Sequence, residues 1–483
     1  MSDYHPKDRE FAFQAFVDAH GSRNRTDALG ELRSADYGRL DRLGHVYLDY
    51  TGGGLYAESQ ITAHHELLSD HVMGNPHSHN PSSLAATHFV DEARAAVFEF
   101  FNADPDEYEV IFTANASGAL KLVGESYPFE EGACYLLSYD NHNSVNGIRE
   151  FARRGGAEVV YVPVRKPELR LDEDLIRRGL TRESSCKHRL FAYPAQSNFS
   201  GVQHPLEWIE EAHENGWDVL LDSAAFAPTN RLDLSAIKPD FVPLSFYKMF
   251  GYPTGLGALI ARKEALGKLR RPWFAGGTIT LASVQGEGWY HLAPGSTGFE
   301  DGTVDYLGLS AITIGLRHLS SIGIDTIHGH VTDLCDWLLT QMGSLAHSNG
   351  APMVQIFGPE TTDRRGATIA FYLLDPEGAV YDVQRIEALA GEQLISVRTG
   401  CFCNPGDGEI AHNITRDDMA ECFDESTVPV TYNQCQRVIE DATGKVPNTI
   451  RASLGIASTF ADVYRFMEFA ASFRDRAAGD VGR

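Results

Sequence analysis

The chain has 483 residues, of which 43% are hydrophobic and 22% charged, proportions that are ordinary for a globular protein. Its formal net charge of −25 disfavours binding to nucleic acid or to an anionic membrane, and the sequence holds no apolar run long enough to span a membrane. The N-terminal stretch lacks the basic start and apolar core of a signal peptide, so we expect a cytoplasmic protein.

Short apolar runs alternate with helical patterns between about residues 45 and 320. This alternation predicts an α/β domain in which a largely parallel sheet carries helices on both faces. The predicted strands are 46–50, 109–114, 133–138, 158–164, 189–195, 217–223, 241–246 and 256–262. The helical patterns between them include 86–101, 143–154, 173–180 and 205–215.

The pattern changes beyond about residue 310, where longer amphipathic helices are followed by a few short strands. The predicted helices are 309–322, 324–347 and 459–476, and the predicted strands are 353–356, 367–373 and 395–398. We therefore expect a large domain over 45–315 and a smaller α+β domain over 316–483, against which residues 1–44 pack.

The seven cysteines are too sparse to form a disulfide framework in a chain of this length. Five of them are scattered, and we expect them to be unpaired small core residues or bystanders: Cys134, Cys186, Cys335, Cys422 and Cys435. Cys401 and Cys403 form a C-x-C pair with no second cluster at metal-ligand spacing, so a zinc site is not expected.

Polar residues follow several of the predicted strands, at the sheet edge where ligands collect in open α/β folds. The run at 109–114 leads into Asn115-Ala116-Ser117-Gly118 and then a helical pattern. Small residues at a helix start allow backbone N–H groups to approach a phosphate, although an ordinary helix cap is the alternative interpretation.

Two further runs end in residues with opposite charge. Asp222 follows a strongly apolar strand, where its carboxylate could pair with a protonated pyridine nitrogen or merely cap the next segment. Lys248 follows the next predicted strand among apolar and aromatic neighbours. Such a setting favours the neutral amine that condenses with an aldehyde, whereas most single lysines simply extend into solvent.

His142 follows the run at 133–138 and could stack on a planar ring or transfer protons. A lone histidine after a strand is more often a structural hydrogen-bonding group. Taken together, the carboxylate, the amine, the phosphate-binding turn and the histidine make up the set that pyridoxal phosphate (PLP) chemistry requires.

Nine longer stretches resemble a known family, in the same order and over nearly the whole chain. They are VYLDYTGGGLY (46–56), GNPHSHNPSS (74–83), VIFTANASGALKLVGE (110–125), QSNFSGVQHPLEWI (196–209), LLDSAAFAPTN (220–230), LSFYKMFGYPTGLGALI (244–260), FEDGTVDYLG (299–308), VRTGCFCNPG (397–406) and IRASLGIASTFADV (450–463). The family is the class V aminotransferases of cysteine desulfurase type, which are fold-type I PLP enzymes. Within it, the chain looks most like the N-terminal desulfurase part of molybdenum cofactor sulfurases.

The resemblance implies a role for particular residues of this chain. Lys248 would hold PLP covalently, Asp222 would pair with its pyridine nitrogen, and His142 would stack on its ring and move protons. Arg451 would bind the substrate carboxylate through a bidentate pair. The other implied contacts are Asn198 near the phenolic oxygen, Ala116, Ser117, Ser245 and Tyr247 at the phosphate, and Thr303 at the phosphate of the partner subunit in a homodimer.

The resemblance also implies that Cys403 carries a persulfide, while Cys401, two residues earlier, remains an alternative carrier. The surrounding loop, 399–408, contains three glycines and a proline, which favours mobility, and its NPGA step ends here in Asp407. The implied activity is an L-cysteine desulfurase or sulfurtransferase that yields alanine and passes sulfur to a protein or small-molecule acceptor. The alternatives are another class V reaction, such as C–S lysis, β-elimination or transamination, and a non-catalytic scaffold.

Overall fold

The computed structural model describes residues 8–21, 23–182, 186–423 and 431–482. The α-helices are α1 (Arg9–His20), α2 (Arg23–Asp36), α3 (Arg39–Leu43), α4 (Glu58–Asp70), α5 (Pro81–Phe100), α6 (Ala116–Ser126), α7 (Asn143–Asn146), α8 (Ile148–Gly155), α9 (Glu173–Thr181), α10 (Trp208–Glu214), α11 (Phe246–Phe250), α12 (Lys263–Leu266), α13 (Ser310–Ile322), α14 (Ile324–Ser344), α15 (Val383–Glu392), α16 (Pro405–Ala411), α17 (Arg416–Met419), α18 (Tyr432–Thr443), α19 (Phe460–Ala471) and α20 (Ala478–Val481).

The strands alternate with these helices along the first two thirds of the chain. They are β1 (Val46–Tyr47), β2 (Tyr108–Thr113), β3 (Cys134–Ser138), β4 (Glu158–Val162), β5 (Val164–Arg165), β6 (Arg170–Leu171), β7 (Arg189–Pro194), β8 (Asp218–Asp222), β9 (Phe241–Ser245), β10 (Gly257–Arg262), β11 (Ile279–Ala282), β12 (Tyr290–Leu292), β13 (Val354–Phe357), β14 (Thr368–Leu373), β15 (Ile395–Ser396), β16 (Arg398–Gly400) and β17 (Thr449–Ser453).

The main sheet has seven strands in the order β2-β10-β9-β8-β7-β3-β4. Only β10 runs antiparallel to its neighbours, and the remaining pairs are parallel. Every residue of β3, β8 and β9 is buried, because separate apolar clusters cover the two faces of the sheet. The predicted α/β class with a mostly parallel sheet is confirmed.

Gly257, the first residue of β10, allows two other segments to approach each other closely. A Cβ atom at this position would lie 2.6 Å from the Cα of Asn115 and 2.4 Å from the carbonyl oxygen of Leu244. Only glycine fits here without moving the backbone. The turn after β2 can therefore cross the start of β10 and reach the end of β9.

The prediction that 46–50 is a strand of the main sheet is wrong. Val46 and Tyr47 pair in parallel with Ile395 and Ser396 of β15, outside the seven-stranded sheet. The reason is electrostatic as well as geometric, since Asp49 at the end of this run binds an arginine of the smaller sheet. Apolarity alone does not specify which sheet a short run joins.

The C-terminal part contains a four-stranded antiparallel sheet in the order β13-β14-β17-β16. The N-terminal helix α1 lies against α19, with the ring centroids of Phe13 and Phe16 at 5.4 and 5.1 Å from that of Phe460. Arg33 of α2 donates to Asp462 of α19 at 2.7 Å, and both side chains are buried. The described N-terminal residues thus contact the C-terminal part of the chain.

The expectation that the scattered cysteines are unpaired is wrong for four of them. Cys134 pairs with Cys186, and Cys422 pairs with Cys435. The first pair forms because β3 and β7 are neighbours in the sheet, which places the segment before Arg189 beside Cys134. Sparse cysteines in a sequence can therefore still meet when the sheet aligns their strands.

Within the described ranges no helix is long and apolar enough to cross a membrane.

Candidate active site

The carboxyl ends of β2, β3, β7, β8 and β9 meet at one edge of the main sheet, because these strands are parallel to one another. The residues that follow them line a cavity of about 160 Å³. Eight of the site residues expected from the sequence line this cavity: Ala116, Ser117, His142, Asn198, Asp222, Ser245, Tyr247 and Lys248. The fold thus gathers residues that are far apart in the chain.

Lys248 lies on the short helix α11, directly after β9. Burial lowers the pKa of this amine below its ordinary value, against the opposing effect of the Asp222 carboxylate. Arg451 adds a further lowering effect because it brings a second positive charge close to the amine. A lowered pKa increases the share of Lys248 that is in the neutral, nucleophilic form.

Asp222 is the last residue of β8 and is buried. Its Oδ1 accepts a hydrogen bond of 3.0 Å from the backbone N–H of Ala224, which fixes the orientation of the carboxylate. β8 lies beside β9 in the sheet, so Asp222 and Lys248 project from adjacent strand ends. The carboxylate is placed to bind a cationic nitrogen on a ligand that enters the cavity.

His142 caps the short helix α7 after β3. Its Nδ1 accepts a hydrogen bond of 3.1 Å from the backbone N–H of Ser144, so the neutral ring carries its proton on Nε2. Burial lowers the pKa of His142, and the positive charge of Lys248 lowers it further. At neutral pH the ring is therefore uncharged and able to stack on a planar ligand.

The start of α6 provides a binding site for an anion. Asn115 caps this helix by accepting the N–H of Gly118 at 3.0 Å, and the eleven-residue helix directs its positive end into the cavity. The Oγ of Ser245 accepts the backbone N–H of Ala116 at 2.9 Å, which joins the end of β9 to this helix. The Oγ of Ser117 lies 2.6 Å from that of Ser144.

These groups fit PLP. The cavity combines a buried carboxylate, a buried amine of lowered pKa, a neutral imidazole and a helix terminus surrounded by hydroxyl groups. Each corresponds to one part of the cofactor, namely the ring nitrogen, the aldehyde, the ring face and the phosphate.

Asn198 connects the cavity with the loop that carries the two free cysteines. Its side-chain Nδ2 donates to the backbone carbonyl oxygen of Phe402 at 2.7 Å. The backbone carbonyl oxygen of Asn198 accepts a hydrogen bond from Nη1 of Arg451 at 2.9 Å. The side chain lines the cavity, as expected from the sequence, but its amide group also fixes the loop.

The cysteine loop is a tight turn from Cys401 to Asn404. The backbone N–H of Asn404 donates to the carbonyl oxygen of Cys401 at 3.0 Å. Phe402 and Cys403 have φ angles of 56° and 55°, the left-handed conformation of both central residues in a type I′ turn. Neither residue is a glycine, so the turn is strained. Cys403 is exposed and Cys401 is partly buried.

The turn is also tied to the segment that carries His142. The backbone N–H of Asn143 donates to the carbonyl oxygen of Cys403 at 2.7 Å. Cys403 itself is not among the residues that line the cavity. The fold instead joins its turn by hydrogen bonds to Asn198 and to the segment of His142, and both of these residues line the cavity.

Arg451 is buried beside the cavity, where its Nη2 donates to Asp49 at 3.0 Å. Its guanidinium carbon lies 4.5 Å from the ring centroid of Phe402. Burial lowers the pKa of Arg451 to about 10, although Asp49 opposes that effect. Arg398 donates to the same carboxylate at 2.6 Å, so one aspartate binds two arginines.

Asp49 and Arg398 were missed by the sequence reasoning. Asp49 lies in the stretch VYLDYTGGGLY, where it looked like the end of a strand. A charged residue inside an otherwise apolar run was the available signal, because such a residue usually has a specific partner.

Thr303 lies outside the Lys248 cavity of its own chain. Its Oγ1 accepts a hydrogen bond of 3.2 Å from Nδ2 of Asn75. It lines a separate cleft together with Glu300 and Asp301. The structure therefore does not bring Thr303 together with the other expected site residues of the same chain.

Similar proteins support the interpretation of this cavity. The family profile described as aminotransferase class-V matches residues 46–466. The molybdenum cofactor sulfurase of Solanum lycopersicum is 34% identical over 494 residues, which cover 96% of this chain and 59% of that protein. The molybdenum cofactor sulfurase of Homo sapiens is 35% identical over 474 residues, which cover 94% of this chain and 52% of that protein. The chain thus spans between half and three fifths of these relatives.

Solved structures share the fold. A cysteine desulfurase from Thermococcus onnurineus NA1 superposes with a TM-score of 0.73 at 22% identity, covering 92% of this chain and 97% of that one. The cystine C-S lyase C-DES superposes with a TM-score of 0.66 at 19% identity, covering 89% and 98% respectively. The family match over most of the chain, joined to a cavity that fits the cofactor, shows that the chain belongs to the class-V aminotransferases and is a PLP-dependent enzyme with the fold of the cysteine desulfurases.

Proposed function

We propose that the protein is an L-cysteine desulfurase that passes sulfur through a persulfide on Cys403 to an acceptor. The observation that carries this proposal is the exposed Cys403 thiol on a turn whose backbone is hydrogen-bonded to Asn143, next to His142. A PLP enzyme that performs transamination or β-elimination has no need of a nucleophilic thiol at this place. A desulfurase requires one, because the substrate sulfur must be attacked.

The residues around the cavity have distinct tasks in this reaction. Bound PLP supplies the electron sink that stabilises negative charge at the substrate α-carbon. Lys248, as a neutral amine, removes the α-proton, and Asp222 keeps the ring nitrogen protonated. Arg451 binds the substrate carboxylate. Its ion pair with Asp49 must therefore either break or persist beside the new pair with the substrate. His142 covers the ring face and, through Nε2, can hold a proton near the reacting atoms.

The sulfur transfer balances in atoms and electrons. The Cys403 thiolate attacks the sulfur of L-cysteine, an S–S bond forms, and the Cβ–S bond of the substrate breaks with its electron pair remaining on carbon. The β-carbon takes up a proton, Lys248 returns to the α-carbon the proton that it removed, and alanine leaves while Cys403 holds the persulfide. An acceptor thiol, on a protein or a small molecule, can then attack the outer sulfur at the exposed turn.

We further propose a homodimer in which Thr303 of each subunit reaches the phosphate region of the partner's cavity. Several large apolar side chains are exposed around the hairpin β11–β12, which supports burial of this surface against a second copy: Trp273, Leu281, Val284 and Trp289. Sedimentation equilibrium measures the assembly state directly, and a protein that stays monomeric at micromolar concentration would contradict the dimer.

The decisive experiment is product analysis with PLP-loaded protein, L-cysteine and a thiol reductant. We expect alanine and sulfide in equal amounts. Other amino acids, tested in parallel, should react much more slowly. Pyruvate and ammonia in place of alanine would contradict the proposal and indicate β-elimination.

The variant Arg451→Lys tests the assignment of the carboxylate-binding residue. Lysine keeps the charge but cannot form two parallel hydrogen bonds, so we expect KM for L-cysteine to rise by about 10- to 100-fold. The change should affect kcat less than KM. Arg465→Lys, whose guanidinium binds the carbonyl oxygen of Gly44, is the control and should leave both constants near their original values. An unchanged KM in Arg451→Lys would contradict the assignment.

A further inference from the structure

Asp407 is a buried carboxyl group that the proposed reaction does not use. It lies in the first turn of α16, four residues after Cys403, and is 0% exposed. Its Oδ2 accepts hydrogen bonds from the Oγ atoms of Ser197 at 2.5 Å and Ser200 at 3.3 Å. Its Oδ1 is buried and has no hydrogen-bond partner among the described residues. Nδ2 of Asn404 adds a longer contact to Oδ2 at 3.5 Å, so these side-chain donors all reach one oxygen, which fits a carboxyl group whose other oxygen carries a proton.

A second buried residue with a carboxyl group, Asp140, is joined to Asp407 through Asn404, whose Nδ2 lies 2.9 Å from the backbone carbonyl oxygen of Asp140 and 3.5 Å from Oδ2 of Asp407. Asp140 lines the Lys248 cavity, is 0% exposed, and its Oδ2 lies 2.5 Å from Nε2 of His204. Its Oδ1 likewise has no hydrogen-bond partner in the part of the chain that the structure describes. Each of these two buried carboxyl groups leaves one oxygen without a partner, and a protonated Asp407 would leave the buried site with one negative charge fewer.

The electrostatics agree with this arrangement. Burial raises the pKa of Asp407 well above its ordinary value, and the negative charge of Asp140 raises it further. His204 holds the carboxylate of Asp140 from the opposite side. Further titratable groups near α16 are Glu409 within the helix, His412 directly after it, Arg149 near Glu409, and Lys166, which donates to the carbonyl oxygen of Ala411.

Asn404 links this carboxyl pair to the cysteine turn. Its Nδ2 donates to the carbonyl oxygen of Asp140 at 2.9 Å and to Oδ1 of Asn198 at 3.1 Å. Its Oδ1 accepts the backbone N–H of Asp407 at 3.1 Å. Asn404 is also the last residue of the turn that contains Cys403. A displacement of Asp407 would therefore also displace Asn404 and, with it, the turn.

We propose that Asp407 is a positioning residue, which holds the Cys403 turn in place as a neutral carboxyl group hydrogen-bonded to Ser197, Ser200 and Asn404. The importance of this turn for catalysis rests on the proposed function, but the positioning itself does not. Ionisation of Asp407 would place an uncompensated negative charge in a buried site. The turn would then open and expose Cys403 further.

The variants Asp407→Asn and Asp407→Ala distinguish a neutral positioning group from an ionised one. Asparagine has the shape of the protonated acid and can still accept from Ser197 and Ser200, whereas alanine removes both of these contacts. Both are made in the Cys401→Ser background of the PLP-loaded protein, so that Cys403 is the one exposed free thiol among the described residues and Cys335 is buried. The readout is the rate of Cys403 alkylation by iodoacetamide between pH 6 and 10, followed by peptide mass spectrometry.

We expect Asp407→Asn to match the parent protein at pH 7 and Asp407→Ala to react about tenfold faster, as expected from the loss of hydrogen bonds that hold the turn closed. At alkaline pH the parent should show an additional rise in rate that Asp407→Asn lacks. If Asp407→Asn reacts as fast as Asp407→Ala at pH 7, the group is needed as a charge and the proposal is wrong. If Asp407→Ala reacts at the parent rate, Asp407 does not position the turn.

Two further measurements do not depend on the alanine variant being folded. Amide hydrogen exchange over residues 400–408 in the unmodified protein, corrected for the intrinsic effect of pH, should speed up as the pH rises. Because the pKa of Asp407 is raised on folding, its neutral form stabilises the fold fully below about pH 4, and this contribution is lost as the pH rises through the folded value. When unfolding by denaturant is measured as a function of pH, the free energy of unfolding of Asp407→Asn should not show this decrease. Neither readout requires desulfurase activity, so failure here is separable from failure of the proposed function.

Discussion

Replacing Lys248 with alanine should abolish turnover and leave PLP bound only non-covalently. The expected fall in kcat is at least about 10³-fold, since the variant loses both the amine that carries the cofactor and the base that removes the α-proton. The absorbance of protein-bound PLP should disappear after extensive dialysis of the variant but persist in the unmodified protein.

The control for this prediction is Lys121→Ala. The Lys121 side chain is 65% exposed and pairs with Glu125 on the outside of α6. It should change neither the absorbance nor the rate of product formation. Substantial turnover by Lys248→Ala would contradict the assignment, because it would show that this lysine is needed neither to hold the cofactor nor to remove the α-proton.

Replacing Cys403 with serine should stop sulfur transfer while PLP binding is unchanged. A hydroxyl group is a far weaker nucleophile than a thiolate, so we expect the formation of alanine and sulfide to fall by about 10²- to 10³-fold. Incubation of the unmodified protein with L-cysteine, without reductant, should add the mass of one sulfur atom to the peptide that contains Cys403.

The matched control is Cys401→Ser, two residues earlier in the same turn and partly buried. We expect it to keep most of the activity and to carry the added sulfur on Cys403. If instead Cys401→Ser is inactive and Cys403→Ser retains activity, the persulfide forms on Cys401. If both single variants remain active, neither cysteine is required and a reaction without a persulfide is indicated.

Much of the cavity could be predicted from the sequence because its residues follow strands. Asp222 and Lys248 each come directly after a continuous apolar run, and parallel strands necessarily place their carboxyl ends together. Local patterns therefore indicated both the sheet and the edge at which the site lies. The assignment of tasks to individual residues came from the resemblance, and those assignments remain predictions.

The contacts that could not be predicted all join segments that are distant in sequence. Asp49 and Arg451 are separated by most of the chain, yet they form a buried ion pair at 3.0 Å. The hydrogen bond from Asn404 to the backbone of Asp140 likewise depends on how the segment before α16 lies against the end of β3. A sequence pattern reports the exposure and period of one segment, whereas these contacts depend on the docking of one sheet against the other.

The single antiparallel strand of the main sheet has a consequence for the evolution of the site. Gly257 of β10 presents no side chain, and for that reason Ala116 can meet Ser245 across it. The phosphate region is thus assembled over the start of a strand that contributes no polar side chain of its own. Substitution in this site is therefore restricted at a position that takes no part in chemistry, because any side chain at Gly257 would collide with the backbone of Asn115 and Leu244.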